Sequence, residues 1–139
     1  MNIVFNAFKK NIMNGSIDLD TDTIKIALVT SAYVPDQDLD EDMADIDNQV
    51  VGDGYVAGGA TLANKTVTVD NTDNEGVFDA DDASWSNSTI TARGALIYKS
   101  TGVAANDLLI CYIDFVTDKI SAGGTFSVAF AAEGIVNLN

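Results

Sequence analysis

Apolar positions along the chain follow two rhythms. Near the start, Ile3, Val4, Ala7, Phe8 and Ile12 recur at helical spacing, with Phe5 close to the stripe. Lys9 and Lys10 lie toward the end of that stretch, where they suit a helix dipole, and Asn14-Gly15 reads as a stop. The spacing predicts an amphipathic helix over residues 3–13. A helix this short needs a surface to dock on, either its own sheet or a neighbouring subunit.

Beyond residue 15 the rhythm changes to that of strands. Residues 23–30 read as a buried strand, with Ile24, Ile26 and Leu28 alternating against Lys25 and Ala27. Residues 65–70 alternate Val67 and Val69 against Thr66 and Thr68. Short strands are expected at 77–80, 125–131 and 135–138. A long strand is expected at 89–99, bulged at Gly94. Residues 108–115 are apolar on both faces and read as a central strand. Gly52, Gly54, Gly58 and Gly59 punctuate turns, as do 71–76 and Asn106-Asp107.

Residues 31–48 break the pattern as one long acidic loop around the single proline, Pro35. A connection of this length is functional, mobile or partly helical. Leu39, Met43 and Ile46 have the spacing of a short amphipathic helix inside it. With no βαβ rhythm and no composition break, residues 1–139 read as one mainly β domain. The expected architecture is an antiparallel β-sandwich or barrel with a short N-terminal helix.

Composition narrows the function classes. Hydrophobic residues make up 47% of the 139, enough for a packed core rather than a disordered chain. Acids outnumber bases 21 to 7, for a net charge of −14. Such a surface has no basic patch for phosphates, so neither nucleic acid nor an anionic membrane is an expected partner. No stretch approaches the roughly 18 apolar residues of a membrane span. The N-terminal polar residues interrupt any signal-like run, so synthesis in a cytoplasm without ordinary secretion is expected. Two glycosylation-type triplets, at Asn64 and Asn87, therefore carry no weight.

Little in the chain points to catalysis. There is no histidine, and the one cysteine, Cys111, sits in an apolar run where it reads as a small buried hydrophobe. The glycines at 52–59 lack the following helix of a nucleotide-binding motif. No enzyme activity and no cofactor are expected. Calcium is the one chemical alternative. Asp18, Asp20 and Asp22 space carboxylates as a loop site does, and so do Asp36, Asp38, Asp40 and Asp42. The EF-hand loop needs glycine sixth and glutamate twelfth. Counted from Asp18 those places hold Thr23 and Val29, and from Asp36 they hold Glu41 and Asp47, so that motif is excluded. The first cluster reads as a turn feeding a strand, which leaves Asp36 to Asp42 as weak metal candidates. Asp79, Asp81 and Asp82 form another acidic turn. Tyr33, Tyr55 and Trp85 lie near loops, as core-edge anchors or as a glycan- or partner-binding surface.

Several stretches are similar to a family of small virion structural proteins of tailed bacteriophages. They are residues 17–33 (IDLDTDTIKIALVTSAY), 54–65 (GYVAGGATLANK) and 77–82 (VFDADD). Trp85, residues 89–98 (TITARGALIY) and the YIDF of 112–115 continue the likeness over nearly the whole chain. The resemblance implies a non-enzymatic virion protein made in the host bacterial cytoplasm, decorating or cementing the capsid. A tail, neck or fibre component, or a receptor- or glycan-binding module, is the alternative. Its partners would be the major capsid protein or other virion proteins, and copies of itself in a homo-oligomer such as a trimer. On this reading residues 1–14 form a helical anchor, with Ile3, Val4, Phe5, Phe8 and Ile12 as the partner-binding residues.

Overall fold

The computed structural model describes residues 2–139, and two antiparallel sheets organise it. In chain order the elements are β1 (Ile3–Val4), α1 (Asn6–Met13), β2 (Ile24–Val29), β3 (Ala60–Thr61) and β4 (Thr66–Asp70). They continue with β5 (Glu75–Asp79), β6 (Ala83–Lys99), β7 (Leu109–Val128) and β8 (Val136–Leu138). One sheet runs β1-β7-β6-β2-β3 and the other β4-β5-β8. The mainly β expectation holds, with one short α-helix, but the sheets do not close into a barrel.

The predicted N-terminal helix starts later than its pattern suggests. Ile3 and Val4 pair with Tyr112 and Cys111 as a strand, and the helix begins at Asn6. β-branched residues fit a pleated edge better than a helix turn, and here they find one to pair with. The strand at 125–131 is corrected too. Residues up to Val128 belong to β7, which continues past a break in register rather than ending.

That break shapes the molecule. Ala92 pairs Lys119 while Gly94 pairs Asp114, so β6 advances two residues where β7 advances five. The surplus in β7 loops out at Val116, whose φ of 70° is unusual for a β-branched residue. The β6–β7 ribbon is thereby divided into two arms. The proximal arm pairs 94–98 with 109–114, and the distal arm pairs 83–92 with 119–128. Gly94 is required at the bend, because a Cβ there would meet the Tyr112 ring at 2.4 Å. A second slip, between Ile97–Cys111 and Tyr98–Leu109, inserts Ile110 as an extra residue. Ile110 and Cys111 consequently enter the same core cluster, while Leu109 and Tyr112 enter the other.

Both faces of the five-stranded sheet are covered. One face packs Ile24, Ile26, Leu28 and Ile97 against Phe8 of α1, Phe78 of β5 and Val136 of β8. The other packs Ala27, Val29, Leu96 and Tyr98 against Phe5 and Tyr33, with Met43 and Ile46 behind them. β2 therefore buries both of its faces apart from Lys25, in line with the buried strand expected there. The cover on the second face is the acidic segment 31–48. It contains a 3-10 turn at Met43–Asp45 in place of the expected α-helix, and Leu39 points to solvent. Backbone bonds strap it down, including Asn6 to Gln37 at 3.1 Å, Met43 to Asp107 at 3.0 Å and Leu109 to Glu41 at 3.0 Å.

Candidate functional site

Carboxylates are the commonest chemically active side chains here, so their placement is decisive. Asp18 Oδ1 accepts from the Asp20 and Thr21 backbone N–H groups, and Asp22 Oδ2 accepts from Asp18 N–H at 2.8 Å. Asp36 and Asp40 repeat that geometry. Asp36 Oδ1 accepts from Asp38 and Leu39, and Asp40 Oδ2 accepts from Asp36 N–H at 2.9 Å. In both loops the last aspartate N–H also closes onto the first carbonyl. Asp42 caps the 3-10 turn through Ala44 N–H, and Asp45 reciprocates. Asp38 instead accepts from the Asn6 amide at 2.7 Å. The metal candidates Asp36, Asp38, Asp40 and Asp42 thus point at backbone and amide donors rather than at one another. Among the described residues no three acidic, histidine or cysteine side chains converge as ligands. The turn reading of Asp18–Asp22 fits this geometry. Hydrogen bonding from Thr21 and the loop N–H groups holds the Asp18 carboxyl below its usual value.

The anchor residues lie inside the protein. Phe5 and Phe8 are fully buried, Ile3 nearly so, and Val4 and Ile12 are half-buried against the core. The stripe docks on the chain's own sheet, one of the two options its periodicity left open. Of the residues expected to bind a partner, Phe5 and Phe8 are thus occupied by this core and Ile3 nearly so, while Val4 and Ile12 keep part of their surface. A side chain with no exposed area cannot bind a partner without unfolding its surroundings.

The loop aromatics are interior as well. The Tyr33 hydroxyl donates to Asp40 at 2.6 Å, and burial together with that carboxylate raises its pKa strongly. The Tyr55 hydroxyl donates to Gln49 and accepts from Leu28 N–H, and its ring packs 5.9 Å from Trp85. Trp85 in turn meets Phe126 edge-on at 6.1 Å. Cys111 is buried, and burial pushes its thiol up to about 12. These groups are spent on packing, not offered to a substrate.

The distal arm of the ribbon buries Trp85, Ile90 and Phe126 in the core but leaves one strand edge open. β1 pairs β7 only at Cys111 and Tyr112, so from Thr117 to Val128 the side of β7 away from β6 has no strand partner among the described residues. A groove of about 390 Å³ is lined by residues on both sides of the break in β7, among them Ile113, Asp114, Phe115, Lys119, Ile120 and Phe126. Ile120 stands at its lip, 71% exposed. The arm is held in shape from within. Buried Ser88 and Ser121 share a 2.8 Å hydrogen bond, Ser88 donates to the Trp85 carbonyl, and Ile90 N–H donates to Ser121.

Sequence reasoning passed over this edge, although a signal was present. Residues 83–92 and 120–128 contain no charged side chain in a chain that is 20% charged. Compared with protein-family models, curated proteins and solved structures, the chain matches none. No helix among the described residues is long and apolar enough to cross a membrane.

Proposed function

We propose that this chain is a non-enzymatic structural protein of a tailed-bacteriophage particle, decorating or cementing the capsid shell and working as an assembled array of copies. One observation carries the reading. The loop carboxylates at 18–22 and 36–42 are engaged with turn and amide donors and the aromatics with the core, while a strand edge without a partner and a groove with a largely apolar lining face outward. A surface of this kind suits lasting contact with neighbouring proteins better than turnover of a small molecule. The resemblance to small phage virion proteins supplies the setting. The acidic cover suits basic patches on a shell and keeps free copies apart before assembly.

A cryo-EM map of the intact particle tests the reading. Density for this chain at regular positions on the icosahedral shell is the expected result. Density confined to the tail, neck or fibres would overturn decoration in favour of a tail or adhesion role.

A further inference from the structure

Most of the few bases in this chain are engaged. Lys10, Arg93 and Lys99 form ion pairs, Lys9 donates to Asn6, and Lys65 donates to the Asp20 and Asp22 carbonyls. Lys119 is exposed. Lys25 is half-buried beside its cross-strand neighbour Tyr98, and among the described residues it has neither a hydrogen-bond acceptor nor an ion-pair partner. The acidic cover lies over the same face of the sheet, yet none of its carboxylates pairs with this ammonium. A partly desolvated charge left alone is costly.

Lys25 lines a pocket of about 340 Å³ together with Met43, Gln49, Tyr98, Ser100 and Asp107. Gln49 Oε1 accepts from the Tyr55 hydroxyl and from Gly58 N–H, which fixes the amide and leaves its Nε2 donors without a protein acceptor. Asp107 is only 8% exposed. Thr101 occupies its Oδ1 through N–H and hydroxyl, while Oδ2 has no donor. Lys25 and Asp107 therefore share one pocket without forming an ion pair. Gly58 keeps the space over the lysine clear, since a Cβ there would stand 3.6 Å from Lys25 Nζ.

One ligand chemistry answers both charges. A bare anion suits Lys25 but meets Asp107 and the field of a −14 chain. A bare cation suits Asp107 but meets Lys25. A zwitterion is neutral overall and offers a carboxylate to one and an ammonium to the other. Met43 adds an apolar wall for a side chain. We propose that this pocket binds a free α-amino acid with an apolar side chain, its carboxylate on Lys25 and Gln49 Nε2 and its ammonium on Asp107 Oδ2. The site goes beyond the particle role, and its failure would leave that role standing.

Titration of the isotope-labelled full-length protein with L-leucine, followed by amide NMR, is the test. Saturable shifts at Gly58, Ser100 and Gly102, which line the pocket, are expected. N-acetyl-L-leucine lacks the ammonium and L-leucine methyl ester lacks the carboxylate, and each is expected to bind at least about tenfold more weakly. Lys25→Gln removes a charge that no protein group pairs, and is expected to weaken L-leucine by a similar factor with the rest of the amide spectrum unchanged. Asp107→Asn keeps an acceptor oxygen for Thr101 and is expected to do the same. Lys25→Gln carries the test alone if that second variant fails to fold. The absence of saturable shifts overturns the proposal. Equal binding of N-acetyl-L-leucine overturns it too, by making the pocket a plain anion site. Unaltered affinity in Lys25→Gln does so by placing the amino acid elsewhere.

Discussion

The acidic cover, residues 31–48, and the distal arm of the β6–β7 ribbon handle their polar groups in opposite ways. The cover has seven acids and no base, and the arm at 83–92 and 119–128 carries a single charge, Lys119. The cover is irregular, so its N–H groups lack a ladder, and aspartate carboxylates supply the missing acceptors. The arm has a ladder to β6 on one side and needs no such help. Its other side is left open, with Asp118 and Lys119 at one end and no charge from residue 120 to residue 128. The edge strand β4 is different, since Asp70, Asp73 and Glu75 cluster at its end beside exposed Val69. Acidity here tracks irregular backbone, and where backbone is regular its absence exposes a surface able to associate.

The largest expected effect comes from raising pH, which tests how tightly the cover seals the face beneath it. Burial is the leading cause of a raised pKa at Tyr33, Tyr55, Tyr98 and Tyr112, all four tyrosines of the chain. Tyr98 is pushed up to about 12 from 10.0, and Cys111 to about 12 from 9.0. In each case the neutral, protonated form is the one that folds. Their stabilising contribution is fully present below the unfolded values of 9.0 and 10.0 and is lost as pH rises toward 12. Tyrosinate absorbance followed beside far-ultraviolet circular dichroism is expected to show no tyrosine ionising near pH 10. All four should ionise in one step with unfolding. Tyr33, Tyr98 or Tyr112 titrating near 10 with the fold intact would mean that the cover opens.

Next in size is a cut into the arm. Trp85→Ala removes a ring packed between Tyr55 and Phe126 and is expected to cost about 3–5 kcal/mol in urea unfolding. A loss under about 1 kcal/mol would mean that the arm is not part of the same cooperative core.

On the cover, Asp40→Ala removes the acceptor shared by the Tyr33 hydroxyl and Asp36 N–H, with an expected cost of about 1–2 kcal/mol. Asp40→Asn keeps one acceptor oxygen and should lose less. Because these carboxylates are engaged with backbone donors, millimolar calcium is expected to leave the unfolding midpoint of the parent protein unchanged. A calcium-dependent rise abolished by Asp40→Ala would restore the cation reading of this loop.

These regions also differ in how far the sequence discloses them. The strand at 24–29 and the bulge at Gly94 follow from alternation and a glycine. The turn at Asp18–Asp22 follows from Asx chemistry, yet the same spacing at Asp36–Asp42 suggests a metal loop. Carboxylates spaced by two serve a cation or a run of N–H groups equally well, and only the backbone path decides between them. Ile3 and Val4 match a helical stripe because three to four residues also separate positions on a strand-then-helix path. Phe5 and Phe8 are apolar whether they meet their own sheet or a partner, so their burial depends on tertiary arrangement. The open edge was legible only as missing charge. Its exposure depends on β1 being two residues long, which no local pattern reveals.

The smallest expected effect lies on the acid side, at two turns outside the cover. Hydrogen bonding from Thr21 first, then from loop N–H groups, lowers the Asp18 pKa, and Thr72 and Asp73 N–H groups lower that of Asp70. With folded values below the unfolded 3.8, each contributes stability above that pH and loses it as pH falls through the folded value. Asp18 is exposed and Asp70 partly so, and solvent screens the gain. Acidification also relieves the repulsion of a −14 chain and works in the opposite direction. Carboxyl chemical shifts followed by NMR separate the two effects. Asp18 and Asp70 are expected to titrate below an unstructured aspartate. Thr21→Ala should move Asp18 back toward 3.8 and leave Asp70 in place. If Asp70 shifted as well, long-range charge rather than the local turn would set both values, and the idea that these acids serve the backbone would lose its simplest support.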